Sequence, residues 1–531
     1  MTGLLIYSKI RHLFPGFSQL FHVLDILNPL RLVKRRMGSL GQMLLGWFSV
    51  TRLGVLDAPK SRLLTLPLEV LTGIVQELSW RDVLRIRQSC RLLGEISKSN
   101  PVWRNIARME LLEDFTTGAH ELFLERSVEQ YKSEELEGLI LRWKRAKQNW
   151  TIDDGAPPRL RTFEMSFGQV HLIRGGRWLL FTRTTGAVLY LDLDAPGHPS
   201  EQILIPERPG LSHTTIALDY LPDSDVLTFN LALAVQQYPE EEEGIDSDSA
   251  EYKIQVWRVC LSRRGNNPDC TDRLTAECLT AFRQEPQGSV HSISILGDHI
   301  AHTLRYETDH NDLTFLVIVK WVDLIGIEDG FKYPQWVLYL RIDWPSVYLL
   351  PGRQVLVYDR GSINLYDSST FPQLKSLPTW PDRTIWPKPL WWSLFEGTEQ
   401  GPPPVVLCSD AVRVVIFCRT GFYGVTIPDR QAEMESPART IKLGDYTPMP
   451  PVPPLTRPLP SCGYQYSALI SSSQLTFVSH PWSNDDETKY PTVTKDIAHN
   501  IQGGWRILDI MSGRIIVVNR TIKVLDLTPT L

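Results

Sequence analysis

Histidines, cysteines and clustered acids are the residues through which this chain could do chemistry, and their spacing offers little. His299 and His302 stand three apart in a run that reads as a strand. Alternation sends them to opposite faces, so they do not readily grip one metal ion. His310, between Asp309 and Asp312, falls in a turn-like stretch and reads as a surface hydrogen-bonding residue. The sequence has no G-x-x-x-x-G-K-[ST] phosphate loop, no G-x-S-x-G elbow and no H-E-x-x-H helix. Cysteines 90, 260, 270, 278, 408, 418 and 462 show neither paired nor C-x-x-C spacing, which fits a reduced compartment better than a secretory one. No catalytic residue, metal or cofactor is expected, and the expected location is cytoplasmic, nuclear or both.

The aromatic residues are more suggestive. Trp336, Trp344, Trp380, Trp386, Trp391 and Trp392 crowd into one stretch, and TWPDRTIWPKPLWW mixes Trp with Pro, Asp, Arg and Lys. That mixture suits a loop with one strand in it. The tryptophans either pack between β-elements or form an exposed recognition patch, since Trp and Arg are over-represented at binding hot spots. On the second reading Arg383, Trp386, Trp391 and Trp392 would contact a protein substrate.

Near the N-terminus, Leu64 to Ile106 predicts three short helices. Pro67 suits a first helical turn, followed by a stripe of Leu71, Ile74, Val75 and Leu78. Ser79 and Asp82 make a capping-box-like start for a second helix with Val83, Ile86, Cys90 and Leu93 on one side. Asn100-Pro101 opens a third with Val102, Trp103 and Ile106. Some forty residues are too few to bury all of these among themselves, so the block reads as a docking module.

This block resembles an F-box, the motif by which substrate receptors dock on the Skp-type adaptor of cullin–RING ubiquitin ligases. The matching residues are Leu66-Pro67, Glu69, Leu71, Ile74, Leu78, Asp82, Leu84, Cys90 and Trp103. The resemblance implies that Leu66, Pro67, Glu69, Leu71, Ile74, Leu78, Val83, Leu84, Cys90 and Trp103 form the adaptor face. Ser89 and Leu93 depart from the family's aliphatic and aromatic preferences, and Gly73 costs its helix roughly 1 kcal/mol relative to alanine.

Composition sets the remaining bounds. The 531 residues are 43% hydrophobic and 22% charged, ordinary for a globular chain of two to four domains. A net charge of -5 offers no general attraction to nucleic acid. No stretch has the eighteen or so uninterrupted apolar residues of a transmembrane helix. Residues 1–60 are basic and apolar, with Pro15-Gly16 interrupting a helical spacing. A poorly ordered extension, a membrane-surface segment and a transit peptide all fit them.

Residues 109–155 are rich in Glu, Lys, Arg and Leu and predict a helical linker. It ends at a breaker cluster with Gly155, Pro157 and Pro158. From Arg161 onward the pattern turns to period two, and a strand–turn–strand unit recurs at Leu179–Leu193, Val355–Ser368, Val414–Pro428 and Ile515–Leu527. These units resemble the middle strands of WD-type propeller blades, with Asp192, Asp367 and Asp526 near the place of the family's Trp-Asp aspartate. No unit carries the full signatures. Strand groups starting near Gln169, His213, Val290, Val347, Leu390, Tyr464 and Trp505 suggest about seven blades. Arg161–Phe167, left over before the first group, should close the ring beside Ile522–Leu527. An acidic loop, Pro239–Glu251, and a proline-rich connector, Pro448–Pro460, interrupt the blades.

The expected fold class is therefore α + β and multidomain. Residues 1–60 form an extension, 61–108 a three-helix F-box, 109–155 a linker and 156–531 a WD-like propeller. The resemblance implies a non-catalytic receptor subunit whose partners are the Skp-type adaptor, through it a cullin–RING ligase, and an unknown protein substrate. A scaffold acting outside any ligase is the alternative, and a propeller enzyme with converging carboxylates a weaker one.

Overall fold

The computed structural model describes residues 62–116, 122–149 and most of 158–528. Residues 1–61, 117–121, 150–157 and 529–531 lie outside it, as do several loops, among them 238–250, 263–271, 307–312, 378–387 and 446–458. The N-terminal extension, His310, the breaker cluster up to Pro157, and nearly all of the acidic and proline-rich insertions thus fall outside the described residues. The chain divides into two compact units. One holds the described residues up to Met109 with Lys132–Glu137; the other holds Glu110–Tyr131 and the chain from Gly138 onward.

The first unit is helical. Its helices are α1 (Leu68–Gln76), α2 (Trp80–Arg87), α3 (Arg91–Ile96) and the start of α4 (Asn100–Thr116). Where the sequence predicts three helices there are four, because the expected second helix breaks at Gln88–Cys90. The Ser89 hydroxyl donates to the Ile86 carbonyl at 2.6 Å, and Cys90 is fully extended at φ -158°, ψ 162°. A hydroxyl that satisfies a C-terminal carbonyl ends one helix, and an extended residue starts the next. The predicted cap at Ser79 is present: its oxygen accepts from the Asp82 N–H at 3.3 Å and donates to the Asp82 carboxylate at 2.7 Å. A fifth helix, α5 (Ser133–Asn149), gives its first residues to this unit and the rest to the other.

The second unit is dominated by strands in seven sheets. β1 (Arg159–Phe163) stands apart in the chain from the first sheet, which is β2 (Val170–Leu172), β3 (Trp178–Thr182), β4 (Val188–Asp192) and β5 (Gln202–Ile205). The second sheet is β6 (Ser212–Tyr220), β7 (Thr228–Gln237), β8 (Glu251–Ser262) and β9 (Arg273–Gln284). The third has β10 (Ser289–Leu296), β11 (His299–Tyr306), β12 (Leu313–Lys320) and β13 (Gln335–Leu340). The fourth opens with β14 (Ser346–Leu350), β15 (Gln354–Asp359) and β16 (Ser362–Asp367). The chain then leaves it, places β17 (Gln373–Leu374) as a fifth strand beside β13, and returns with β18 (Trp391–Leu394) to pair with β16. The fifth sheet is β19 (Val405–Leu407), β20 (Ala411–Cys418), β21 (Gly421–Pro428) and β22 (Arg439–Asp445). The sixth is β23 (Leu459–Cys462), β24 (Tyr466–Ile470), β25 (Gln474–Ser479) and β26 (Thr492–Asp496). The seventh combines β27 (Trp505–Asp509), β28 (Arg514–Val518) and β29 (Ile522–Asp526) with β1 on its outer edge.

Each sheet packs on both neighbours. In β3, Trp178 and Leu180 enter the core shared with the second sheet. Leu179 and Phe181 enter the one shared with the seventh. Strands buried on both faces read as continuous apolar runs, which explains LLF and VVIF in the sequence. Corresponding cores join the second and third sheets through to the sixth and seventh. Since the seventh also meets the first, the ring is closed: the fold is a β-propeller. All four recurring hairpins supply the two middle strands of a sheet.

β1 makes the predicted closure, pairing antiparallel with β29 from Arg159↔Asp526 to Phe163↔Ile522. The expected start of a strand group near Leu390 is incorrect. Leu390–Leu394 ends the fourth sheet, with the Leu390 N–H on the Leu365 carbonyl at 2.7 Å, and the next sheet begins at Val405. Among the described residues, no helix is long and apolar enough to cross a membrane.

His299 and His302 fall on opposite faces of β11, as alternation requires. His302 is fully buried in the β-core, with no hydrogen-bond partner for either ring nitrogen among the described residues. Burial lowers its pKa to about 3. Below about pH 6.5 the unfolded chain takes up a proton that the folded one refuses, so stability falls with pH until about pH 3. At pH 5 this one group is expected to cost about 2 kcal/mol relative to pH 7. Urea titrations at the two pH values should show His302→Leu losing that much less than the wild type; equal losses would contradict a dry, unpartnered imidazole.

Candidate functional site

Thirteen large apolar side chains are exposed among the described residues, and they are unevenly distributed. Four of them, Leu64, Leu68, Val70 and Leu92, fall within the helical unit between residues 64 and 92. Three more, Leu390, Trp392 and Leu394, stand at alternate positions on and beside β18. Singly scattered exposed leucines need no explanation, whereas a concentration of them is where an interaction surface is to be sought.

The helical surface stands on a packed interior. Leu71, Val75, Val83, Leu93, Ile96, Val102, Trp103 and Ile106 are buried. The Trp103 indole N–H donates to the Ser97 carbonyl at 2.9 Å, and Asn105 Nδ2 donates to the Gln76 carbonyl at the C-terminal end of α1 at 2.8 Å. Arg87 reaches both oxygens of Glu137, at 2.6 and 2.9 Å, and the Ser97 hydroxyl at 3.0 Å. The interior is thus fixed by polar contacts as well as by apolar burial.

The ten residues predicted for the adaptor face divide accordingly. Leu71, Val83 and Trp103 lie inside the module; Leu66, Ile74, Leu78, Leu84 and Cys90 are half-buried; Pro67 and Glu69 are exposed. Leu64, Leu68, Val70 and Leu92 are exposed apolar residues that the periodicity argument passed over. The stripe finds the side of a helix that is buried against its own neighbours. Val70 and Leu92, apolar and out of phase with the stripes, were the available signal for the outer surface; Leu68 keeps the phase of Leu71 and Val75 and gave none.

Of the predicted substrate residues, Arg383 and Trp386 lie outside the described residues. Trp391 and Trp392 are brought onto one strand and then divided by alternation. Trp391 packs against the core between the fourth and fifth sheets, while Trp392 is 65% exposed. Trp391 thus belongs to packing between sheets, and Trp392 stands exposed.

A buried ionic network occupies the propeller's closing seam. Arg514, 4% exposed at its side chain, donates to Asp526 and Asp194 carboxylates and to the Gly176 carbonyl, each at 2.6 Å. Asp526 also faces Arg161 of β1 at 2.8 Å, and Asp194 takes Arg142 of α5 at 2.6 Å. Burial works to raise the Asp194 pKa, but Arg514 and Arg142 outweigh it and hold the carboxyl down at about 2. A second centre, Arg177, binds Asp192, Glu125 and Asp272 at 2.8–3.0 Å. Two of the three WD-like aspartates, Asp192 and Asp526, thus pair with an arginine at the head of their own hairpin.

Asn149 of α5 donates to the Leu527 carbonyl at 2.7 Å, and Leu122, Trp143 and Met511 form a small core. The expected boundary at residue 156 lies outside the described residues, and Gly138–Asn149 packs in the same unit as the strands. Among the described residues, no group of three or more His, Cys, Asp or Glu side chains is arranged to hold a metal ion.

No family model matches the chain, and no curated protein matches its sequence. Among solved structures it is similar to the β-propeller domain of Cps50 (Swd1) from Myceliophteria thermophila, at 12% identity and a TM-score of 0.42, covering 70% of this chain and 99% of that one. It is also similar to U3-55K, at 9% identity and a TM-score of 0.34, covering 70% of this chain and 100% of that one. A third is the WD40 domain of SCAP from fission yeast, at 10% identity and a TM-score of 0.33, covering 68% of this chain and 82% of that one. The propeller assignment rests on sheet order and ring closure.

Proposed function

We propose that this chain is the substrate receptor of a cullin–RING ubiquitin ligase, with the helical unit docking on a Skp-type adaptor and the propeller holding a protein client. The observation that carries the reading is the exposure of Leu64, Leu68, Val70 and Leu92 on a small helical unit whose interior is already filled. The F-box resemblance names the partner such a surface would meet. On this reading the chain acts by proximity, holding the client near a ubiquitin-charged enzyme in the cytoplasm or nucleus, and performs no chemistry itself.

The test is a pair of surface changes, Leu68→Asp with Leu92→Asp. Both side chains are exposed, so the module should keep its fold and thermal midpoint. Burying two leucines at an interface contributes about 3 kcal/mol or more, so affinity for purified adaptor is expected to fall about a hundredfold or more. Leu71→Ala would be a poorer test, because it empties the module's own interior. Undiminished binding by the double variant would remove the docking reading, and adaptor binding without cullin would favour a scaffold outside the ligase.

A further inference from the structure

β18 closes the fourth sheet with an edge that no described strand covers. The Phe395 N–H bonds the Gly361 carbonyl at 2.7 Å, and Ser362↔Leu394 and Asn364↔Trp392 are neighbouring register pairs. Antiparallel ladders alternate, so Ser393 turns its backbone groups to β16, while Trp392 and Leu394 turn theirs outward. The same two residues, with Leu390, carry the exposed side chains: Leu390 is 42%, Trp392 65% and Leu394 63% exposed. Among the described residues, open main-chain groups and an apolar row thus coincide on one short strand. An edge of this kind is a template for another strand, and native sheets ordinarily blunt it with charge or proline.

The neighbouring sheet shows how such an edge is satisfied in this molecule. There β17 lies antiparallel beside β13, through Gln335↔Leu374 and Trp336↔Gln373, as a fifth strand. The fourth sheet has the equivalent outer position open among the described residues. We propose that β18 is a strand-addition site: it takes an extended, proline-free segment of a client polypeptide, with apolar residues at alternate positions, as the fifth strand of its sheet. Main-chain hydrogen bonds to Trp392 and Leu394 would hold the segment, and the apolar row would select its side chains. The proposal rests on the propeller being the client-binding part and is independent of adaptor docking, which a separate adaptor-binding assay reads.

The probe is a fluorescein-labelled decapeptide of alternating Thr and Val, titrated against the full chain by fluorescence polarisation. Saturable binding is expected, at least tenfold weaker for Leu394→Pro, which removes an outward N–H, and for Trp392→Thr with Leu394→Thr, which keeps a strand but strips the apolar row. Hydrogen exchange should show the Trp392 and Leu394 amides gaining protection when the probe binds. Should Leu394→Pro fail to fold, the double threonine variant carries the test alone. No binding by the wild type, or equal binding by the threonine variant, would overturn the proposal. So would light scattering that finds a dimer abolished by the same substitutions, because the edge would then serve a second copy of the chain.

Discussion

A chain shortened to start at Gly168 is expected to be recovered only as aggregate, whereas one starting at Pro158 stays soluble. Both lack α5 and everything before it, so the comparison isolates β1. That strand covers the outer edge of β29 over five register pairs. Leu160 and Phe163 pack onto the two cores flanking the seventh sheet, and Arg161 donates to the Leu193 carbonyl at 2.8 Å. Without β1, the ladder groups of β29 and the apolar flank are exposed together, the combination that drives edge-to-edge association. Equal soluble yields from the two shortened chains would show that the ring does not depend on its borrowed strand.

Arg514→Met should be the most damaging single substitution in the seam, costing about 3–5 kcal/mol. It leaves Asp194 and Asp526 without their shared cation and the Gly176 carbonyl without its donor. A loss of that size is a large fraction of the roughly 5–15 kcal/mol by which a domain is stable. The sign of the pH response follows from Asp194. Its depressed pKa contributes stability that is present above its ordinary value near 4 and is lost as pH falls toward about 2. Arg514→Met should weaken that contribution and so flatten this part of the acid titration, leaving Arg142 as the remaining cation. A cost below about 1 kcal/mol in urea unfolding at pH 7 would mean that solvent already reaches the network.

The sequence made the propeller and its closure legible for a definable reason. Period-two runs such as Leu179–Leu193 and Ile515–Leu527 are middle strands, buried on both faces, and carry a strong signal. Arg161–Phe167 reads as a strand with no group to join, and β1 forms two residues earlier at its start and four at its end, over Arg159–Phe163. In the sequence alone β18 looks like the start of a blade, because Trp391-Trp392 resembles a fresh apolar run. Only the pairing with β16, across an excursion that sets β17 on another sheet, gives its place. The partners of Asp192 and Asp526 follow from hairpin register, which brings Arg177 and Arg514 alongside them.

In the helical module, periodicity found Leu71, Val83 and Trp103 but could not distinguish an inward stripe from a docking face. A stripe records only that something covers it. Leu68 keeps the spacing of Leu71 and Val75 and Leu92 lies beside the buried Leu93, yet both are exposed, which only the packed structure shows. The break at Gln88–Cys90 was hidden because Val83, Ile86, Cys90 and Leu93 keep helical spacing across it.

The most direct measurement is reconstitution from purified components: the full chain, a Skp-type adaptor and a cullin–RING assembly, mixed and resolved by size-exclusion chromatography with light scattering. A single species containing one copy of each is predicted for the wild type. The Leu68→Asp, Leu92→Asp variant should elute apart from the adaptor and the cullin. A wild-type chain that elutes alone, or that carries the adaptor but excludes the cullin, would contradict the receptor reading.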